Sequence, residues 1–290
     1  MRETILGVIG GSGLYELPGI AAVEALRLST PFGEPSDELM RGRLGDVTVV
    51  FLPRHGRGHR LLPSEINYRA NLFALKQLGA EWLISVGAVG SLREPLAPGH
   101  VVVPDQFIDR TVGRPSTFFG GGIVAHVSLA DPVCPILSGI VEGAARGAGG
   151  TVHRGGAYLC MEGPQFSTRA ESHLYRQWGA DVIGMTNWQE AKLAREAEIC
   201  FASLALVTDY DSWNPAADHV VIAEVLRILA ANADLARRTV AAAARQLPRE
   251  RSCACATAMA SAIITERARI PAALRTALAP LIGKYLGETP

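Results

Sequence analysis

Apolar residues fall along this chain in short runs that end in glycine or in charge. Ile5-Leu6-Gly7-Val8-Ile9 runs into Gly10-Gly11-Ser12-Gly13 and predicts a buried strand entering a tight loop. Val47 to Leu52 predicts a second strand, followed by a cationic loop. From Tyr68 to Leu78, leucines at 72, 75 and 78 have helical spacing, and Gly79 is placed to stop the helix. Trp82 to Val86 predicts a third strand entering a loop at Gly87-Ala88-Val89-Gly90-Ser91, and His100 to Pro104 a fourth. Glu171 to Trp178 is helical, and Val182 and Ile183 lead into Gly184-Met185-Thr186. Glu190 to Glu198 is helical, and the apolar strand Ile199 to Val207 ends at Thr208-Asp209. Ala216 to Gln246 is rich in Ala and Leu and predicts one or two helical segments. Short strands alternating with helices imply an α/β fold. No repeat, low-complexity linker or composition break divides residues 1–290, which favours a single domain. Gly120-Gly121-Gly122 reads as a mobile loop within it.

Composition narrows the class. A chain of 290 residues is long enough to bury one sizeable core. Lys plus Arg and Asp plus Glu both total 28, and a net charge of zero argues against nucleic acid as a partner. With 48% apolar residues the chain is not disordered, yet no apolar run approaches the roughly 18 residues that span a bilayer. Met1-Arg2-Glu3-Thr4 does not resemble a signal peptide, so no membrane association and a cytoplasmic location are expected. Five cysteines, at 134, 160, 200, 253 and 255, fit reduced thiols in that compartment. Cys253-Ala254-Cys255 is a CxC pair with no second pair to complete a zinc site, so it reads as two thiols near a helix start and no metal is expected. The excess is in glycine, 30 residues, as suits loops whose backbone approaches a ligand closely.

Five segments at strand ends are candidates for chemistry: 10–13, 53–60, 87–91, 184–187 and 208–211. Gly11 and Gly13 begin a dinucleotide fingerprint, but position 16 is Glu, and no P-loop lysine follows. What remains is a glycine loop with one hydroxyl, Ser12, suited to a single anion or to an ordinary turn. Arg54-His55-Gly56-Arg57-Gly58-His59-Arg60 concentrates basic side chains in a neutral chain, as an anion site requires; stray surface charge is the alternative. Asp209 and Asp211 are two residues apart after an apolar strand. In extended chain both project to one side, where burial can raise a carboxyl pKa; a solvated turn or helix N-cap is the alternative. Glu162 follows another strand-like run and can bond sugar hydroxyls or orient a loop.

Taken together, these segments resemble the 5′-methylthioadenosine phosphorylases of the trimeric purine nucleoside phosphorylase family, over at least residues 5 to 245. The resemblance is carried by Ile9-Gly10-Gly11-Ser12-Gly13-Leu14, Thr30-Pro31-Phe32-Gly33 with Pro35-Ser36-Asp37, Arg54-His55-Gly56-Arg57 and Asn67-Tyr68-Arg69-Ala70-Asn71. It continues through Gly90-Ser91-Leu92-Arg93-Glu94, Asp105 to Thr111, Glu162-Gly163-Pro164 with Phe166 to Ser172, and Gly184-Met185-Thr186 followed by Glu190.

The resemblance implies the nucleoside phosphorylase fold, a mixed central β-sheet flanked by helices. It implies phosphorolysis of a nucleoside with inorganic phosphate as co-substrate and no metal or organic cofactor. Ser12, Arg54, His55 and Thr186 then match phosphate ligands, with the backbone N–H of Ala88. Met185 matches the residue whose backbone meets the ribose hydroxyls, Phe166 the face for the base, and Glu162 the edge of that site. Asp209 and Asp211 match the purine readers: a protonated Asp209 donates to N7, and Asp211, or the pair, accepts from the 6-amino group. Ile222, Val225 and Leu226 share a helix face and match the apolar wall for a 5′-methylthio group, although such a stripe alone would be core. His59 and His126 match positions near that pocket, His126 from a neighbouring subunit of a homotrimer, or of a hexamer built as a dimer of trimers. Gly87 stands where many relatives carry a phosphate-binding Thr or Ser, and from about Leu247 the match to the animal enzymes is poor.

The expected reaction converts S-methyl-5′-thioadenosine to adenine and 5-methylthioribose 1-phosphate in purine salvage. The alternatives are phosphorolysis of 5′-deoxyadenosine-type or 6-oxopurine nucleosides such as methylthioinosine, a purine-nucleoside hydrolase, and a non-catalytic purine-binding protein.

Overall fold

The structure is a computed structural model and describes residues 3–11, 17–215 and 222–287, the last without the side chains of 222–226. Ser12 and the side chains of Ile222, Val225 and Leu226 therefore lie outside the described residues. The strands are β1 (Thr4–Gly10), β2 (Ala21–Leu26), β3 (Leu39–Leu44), β4 (Val47–Pro53), β5 (Trp82–Ser91), β6 (Val101–Val103), β7 (Gln106–Arg110), β8 (Val152–Arg154), β9 (Ala157–Met161), β10 (Ala180–Gly184) and β11 (Cys200–Tyr210). The α-helices are α1 (Tyr68–Gln77), α2 (Pro135–Gly147), α3 (Arg169–Gln177), α4 (Asn187–Glu196), α5 (Ile222–Ala244), α6 (Ala272–Ala277) and α7 (Ala279–Leu286).

The strands form one mixed sheet in the order β2-β3-β4-β1-β5-β10-β9-β7, and β11 branches from β5 towards β6 and β8. β1 is parallel to β4 and β5, and β11 is parallel to β5. Every residue of β4 is buried, because helices cover both faces of the central strands. Alternation along the strand sorts its side chains between two cores. Val49 and Phe51 join Leu6, Val8 and Ile84 beneath Leu137 and Val141 of α2 and Ala236 and Val240 of α5. Val50 and Leu52 join Ile9 and Leu83 against Leu72 and Leu75 of α1, Ala194 of α4 and Leu281 of α7. The C-terminal helix thus packs on the same face as α1 and α4.

Four sequence expectations change. Residues 87–91 are not a loop: they are the outer half of β5, hydrogen-bonded to β11 and, antiparallel, to β10. The glycines there allow close approach: a Cβ on Gly90 would meet Ile183 Cγ2 at 3.1 Å. Gly120-Gly121-Gly122 is a tight turn closed by a bridge between Gly120 and Ile123, and a Cβ on Gly122 would meet Pro271. The helix expected from Glu190 starts earlier, at Asn187, and β11 continues through Thr208 and Asp209. Among the described residues no helix is long and apolar enough to cross a membrane.

Candidate active site

A cavity of about 600 Å³ opens at the carboxyl ends of β1, β4, β5, β10 and β11. Its lining includes Arg54, His55, His59, Ala88, Phe166, Met185, Thr186, Asp209 and Asp211, so the structure brings most of the expected site residues into one space.

Arg54 leaves β4 and turns inward, only 3% exposed. Its Nε donates to Glu190 Oε1 at 2.5 Å, and its Nη2 to Glu190 Oε2 at 3.0 Å and Ser85 Oγ at 2.8 Å. Nη1 donates to Val86 O at 2.9 Å and lies 3.7 Å from where a Gly87 Cβ would stand. The guanidinium is thus clamped, its charge offset by Glu190, with one Nη1 hydrogen left for a ligand. Asn187, donating to Ser85 Oγ at 2.7 Å, completes the clamp. Sequence reading found Arg54 and noted Glu190, but their pairing across 136 residues has no local signal.

His55 Nδ1 is 2.8 Å from Leu61 O. A carbonyl only accepts, so Nδ1 carries the hydrogen and Nε2 presents a lone pair. Burial lowers the His55 pKa to about 4, aided by the charges of Arg54 and His59, so the ring is neutral at pH 7. His59 stacks on it, with ring centroids 4.1 Å apart. Thr186 is the N-cap of α4, and its side chain makes no capping hydrogen bond. The hydroxyl therefore stands uncommitted to the cap at one end of the cavity, beside a helix N-terminus, a suitable seat for an anion.

The opposite end is acidic. Val207 pairs with Val89 and Asp209 with Gly90, so Thr208 is bulged out of register between them. Thr208 Oγ1 donates to Asp209 Oδ1 at 2.5 Å. Burial raises the Asp209 pKa; the Thr208 hydroxyl opposes this, and the charge of Asp211 adds to it. Asp211 is 6% exposed, its N–H donates to Ser91 O at 2.9 Å, and its Oδ2 is buried without a hydrogen-bond partner. A hypothetical Cβ on Gly90 would stand 3.5 Å from Asp211 Cβ and 3.7 Å from Asp209 Oδ2. Gly87 and Gly90, three residues apart on β5, therefore mark the two ends of the site, roughly 10 Å from each other at about 3.3 Å per residue.

Between them lies an edge organised by Arg114, which sequence reading missed. Its side chain is 2% exposed. It donates to Glu162 Oε1 at 3.2 Å, to Glu162 O, to Met185 O and to Tyr68 Oη at 3.3 Å. Glu162 Oε2 accepts from Val112 N at 2.7 Å. Arg114 thereby fixes both Glu162 and Met185; nothing in Val112-Gly113-Arg114 announces this, since every partner is distant in sequence. Phe166 stands at the rim, 82% exposed. Leu229 of α5 lines the cavity and extends the 222/225/226 stripe by helical spacing. His126 is exposed and outside the lining; its N–H donates to Ala262 O at 2.8 Å.

An anion seat and a buried acid pair facing each other across one cavity suit group transfer. The sequence pattern of the phosphorylase superfamily matches residues 5–245. S-methyl-5′-thioadenosine phosphorylase of Geobacter sulfurreducens is 56% identical over 98% of this chain and 100% of its own. That of Koribacter versatilis is 56% identical over 98% and 97%. A methylthioadenosine phosphorylase from an Antarctic soil metagenomic library superimposes with a TM-score of 0.93 at 49% identity, covering 97% of this chain and 99% of that one. A variant of adenosine/methylthioadenosine phosphorylase from Schistosoma mansoni, solved with methylthioadenosine, superimposes with a TM-score of 0.80 at 38% identity, covering 86% and 93%. The chain belongs to the phosphorylase superfamily and, within it, to the S-methyl-5′-thioadenosine phosphorylases.

Proposed function

We propose that the cavity carries out phosphorolysis of S-methyl-5′-thioadenosine, giving adenine and 5-methylthioribose 1-phosphate. The observation that carries this reading is the polarity of the site: the donors of Arg54 and Thr186 at one end and, at the other, the buried unpartnered Oδ2 of Asp211 beside Asp209. An unpartnered buried acceptor is costly unless a ligand donor meets it, and a 6-amino group is such a donor.

In this reading phosphate sits against Arg54 Nη1, Thr186 and the Ala88 N–H, and Ser12 is the further ligand that the family resemblance implies. Its P–OH hydrogen bonds to the lone pair on His55 Nε2. The N-glycosidic bond breaks towards a ribosyl cation and a purine anion. Asp209, whose pKa burial raises, donates as an acid to N7 as the purine leaves. A phosphate oxygen then bonds to C1′. The dianion's hydrogen is lost as the ester forms, and the purine gains one, so the protons balance. Met185, fixed by Arg114, meets the ribose hydroxyls, Glu162 stands at the edge of the site outside the cavity lining, and Phe166 covers the base. Leu229 and His59 line the end of the cavity assigned to the methylthio group, and Ile222, Val225 and Leu226 are the apolar wall that the family resemblance implies.

The exposed Phe166 and His126 fit an assembly in which a second copy covers the rim, and a homotrimer with His126 entering the neighbouring site is the proposed form. The location proposed is cytoplasmic. The decisive experiment measures base release with and without phosphate, on methylthioadenosine, adenosine and inosine. Release strictly dependent on phosphate, favouring methylthioadenosine, supports the reading. Undiminished cleavage without phosphate would make the protein a hydrolase, and a preference for inosine would overturn the roles of Asp209 and Asp211.

A further inference from the structure

Cys134, Cys200, Cys253 and Cys255 are scattered over more than a hundred residues, yet their Sγ atoms all lie within 4.8 Å of one another. All are free thiols; three are buried and Cys253 is half-buried. Each is held by a defined element. Cys134 is the N-cap of α2, and its N–H donates to Phe201 O at 2.8 Å. Cys200 opens β11. Cys253 has extended backbone (φ −94°, ψ 162°) just before the short 3₁₀ turn Ala254–Thr257. Cys255 is the second residue of that turn, and the CxC pair delivers both sulfurs to the cluster. The second pair that the sequence seemed to lack comes from Cys134 and Cys200.

We infer that these four thiols form a tetrathiolate site for zinc or a similarly soft divalent metal. Zinc–thiolate bonds of about 2.3 Å make a tetrahedron with sulfur–sulfur edges of about 3.8 Å. That edge lies between the 3.3 Å separating Cys200 and Cys253 and the 4.8 Å limit of the cluster. The donor set is all sulfur, which selects zinc or iron over hard cations. The surroundings point the same way. Leu137 N–H, in the first turn of the 13-residue α2, donates to Cys134 Sγ at 3.5 Å, and Arg195 Nη1 donates to Cys255 Sγ at 3.6 Å. N–H donors aimed at sulfur from a helix N-terminus and a guanidinium offset the negative charge of a metal tetrathiolate. Binding exchanges four S–H bonds for four metal–sulfur bonds and releases the protons to solvent, with no change of oxidation state. All four positions are filled by protein, so the site is structural. It pins the segment after Leu247 to the start of β11, nine residues and about 30 Å from Asp209.

The test uses full-length protein purified with a thiol reductant and without chelator. Elemental analysis counts metal per chain, and Co²⁺ added to demetallated protein reports thiolate ligation by its visible charge-transfer and d–d absorption. The inference expects about one zinc per chain, tetrahedral cobalt–thiolate bands, and loss of both in the Cys253→Ser/Cys255→Ser double variant, with turnover of methylthioadenosine at 25 °C unchanged. Reduced wild-type protein without stoichiometric metal and without those bands overturns it, as does a double variant that keeps its metal. If the double variant fails to fold, metal content and the cobalt spectrum of the wild type decide alone.

Discussion

Asp209 owes its chemistry to its neighbours. Burial raises its pKa, the Thr208 hydroxyl pulls it down and the charge of Asp211 pushes it up again. The acid form is the active one, so kcat/KM for methylthioadenosine should fall as pH rises through the Asp209 pKa. Asp211→Asn removes a raising charge, and the alkaline limb of the pH profile should move to lower pH. A limb that stays in place would assign the titration to another group. Asp209→Asn cannot supply the proton, and kcat/KM should drop by about 10²–10⁴-fold, the usual worth of a general acid. At Gly87 there is room for a side chain, since its Cβ would meet Arg54 Nη1 at an ordinary 3.7 Å. Gly87→Ser should lower the phosphate KM by about threefold to tenfold, as expected for one added hydrogen bond of about 1 kcal/mol. The residues that line the cavity were legible because their types cluster at strand ends. Arg114 was not, because a lone arginine is recognised only by what it touches.

The element that organises the site is β5. Its inner half is ordinary buried strand, paired to β1 and β11, while its outer half exchanges β1 for β10. The sequence suggested a loop there because Gly87 and Gly90 are turn residues in isolation; in the sheet Gly90 is what lets Ile183 of β10 pack closely on the strand. The polar strands at the sheet's margin escaped notice for a related reason. β2 is almost wholly exposed and carries no burial pattern to read. The helix α4 contributes at two levels, Thr186 at its start and Glu190 one turn in, beneath Arg54. Removing the charge of one partner in a buried pair leaves the other uncompensated, so Glu190→Gln should destabilise the fold by about 3–5 kcal/mol in urea titrations. A loss below 1 kcal/mol would mean that Ser85 and Val86 suffice to hold Arg54.

At the scale of the whole molecule the site is open on one side. Phe166 at 82% exposure is an apolar ring facing water, and His126 stands clear of the cavity that it is expected to serve. Light scattering of the purified protein should give three chains per particle, or six. His126→Ala should then raise the KM for methylthioadenosine several-fold while leaving the phosphate KM unchanged. A monomer of full activity would sink the assembly reading. The α/β class was legible from the alternation of short apolar runs with helices, and the mixed sheet only from the resemblance to the family. The cysteine cluster and the C-terminal packing were not, since both depend on contacts between segments remote in the chain.

The grip of Leu61 O on His55 Nδ1 has a consequence for anion selectivity. With Nδ1 occupied and the ring neutral, Nε2 asks its ligand for a hydrogen. Monohydrogen phosphate has one to give; sulfate, fully ionised at neutral pH, does not, and would set lone pair against lone pair. Sulfate should therefore compete poorly with phosphate at pH 7 despite its matching size and charge. Towards pH 4, where His55 takes up a proton, it should become the better inhibitor.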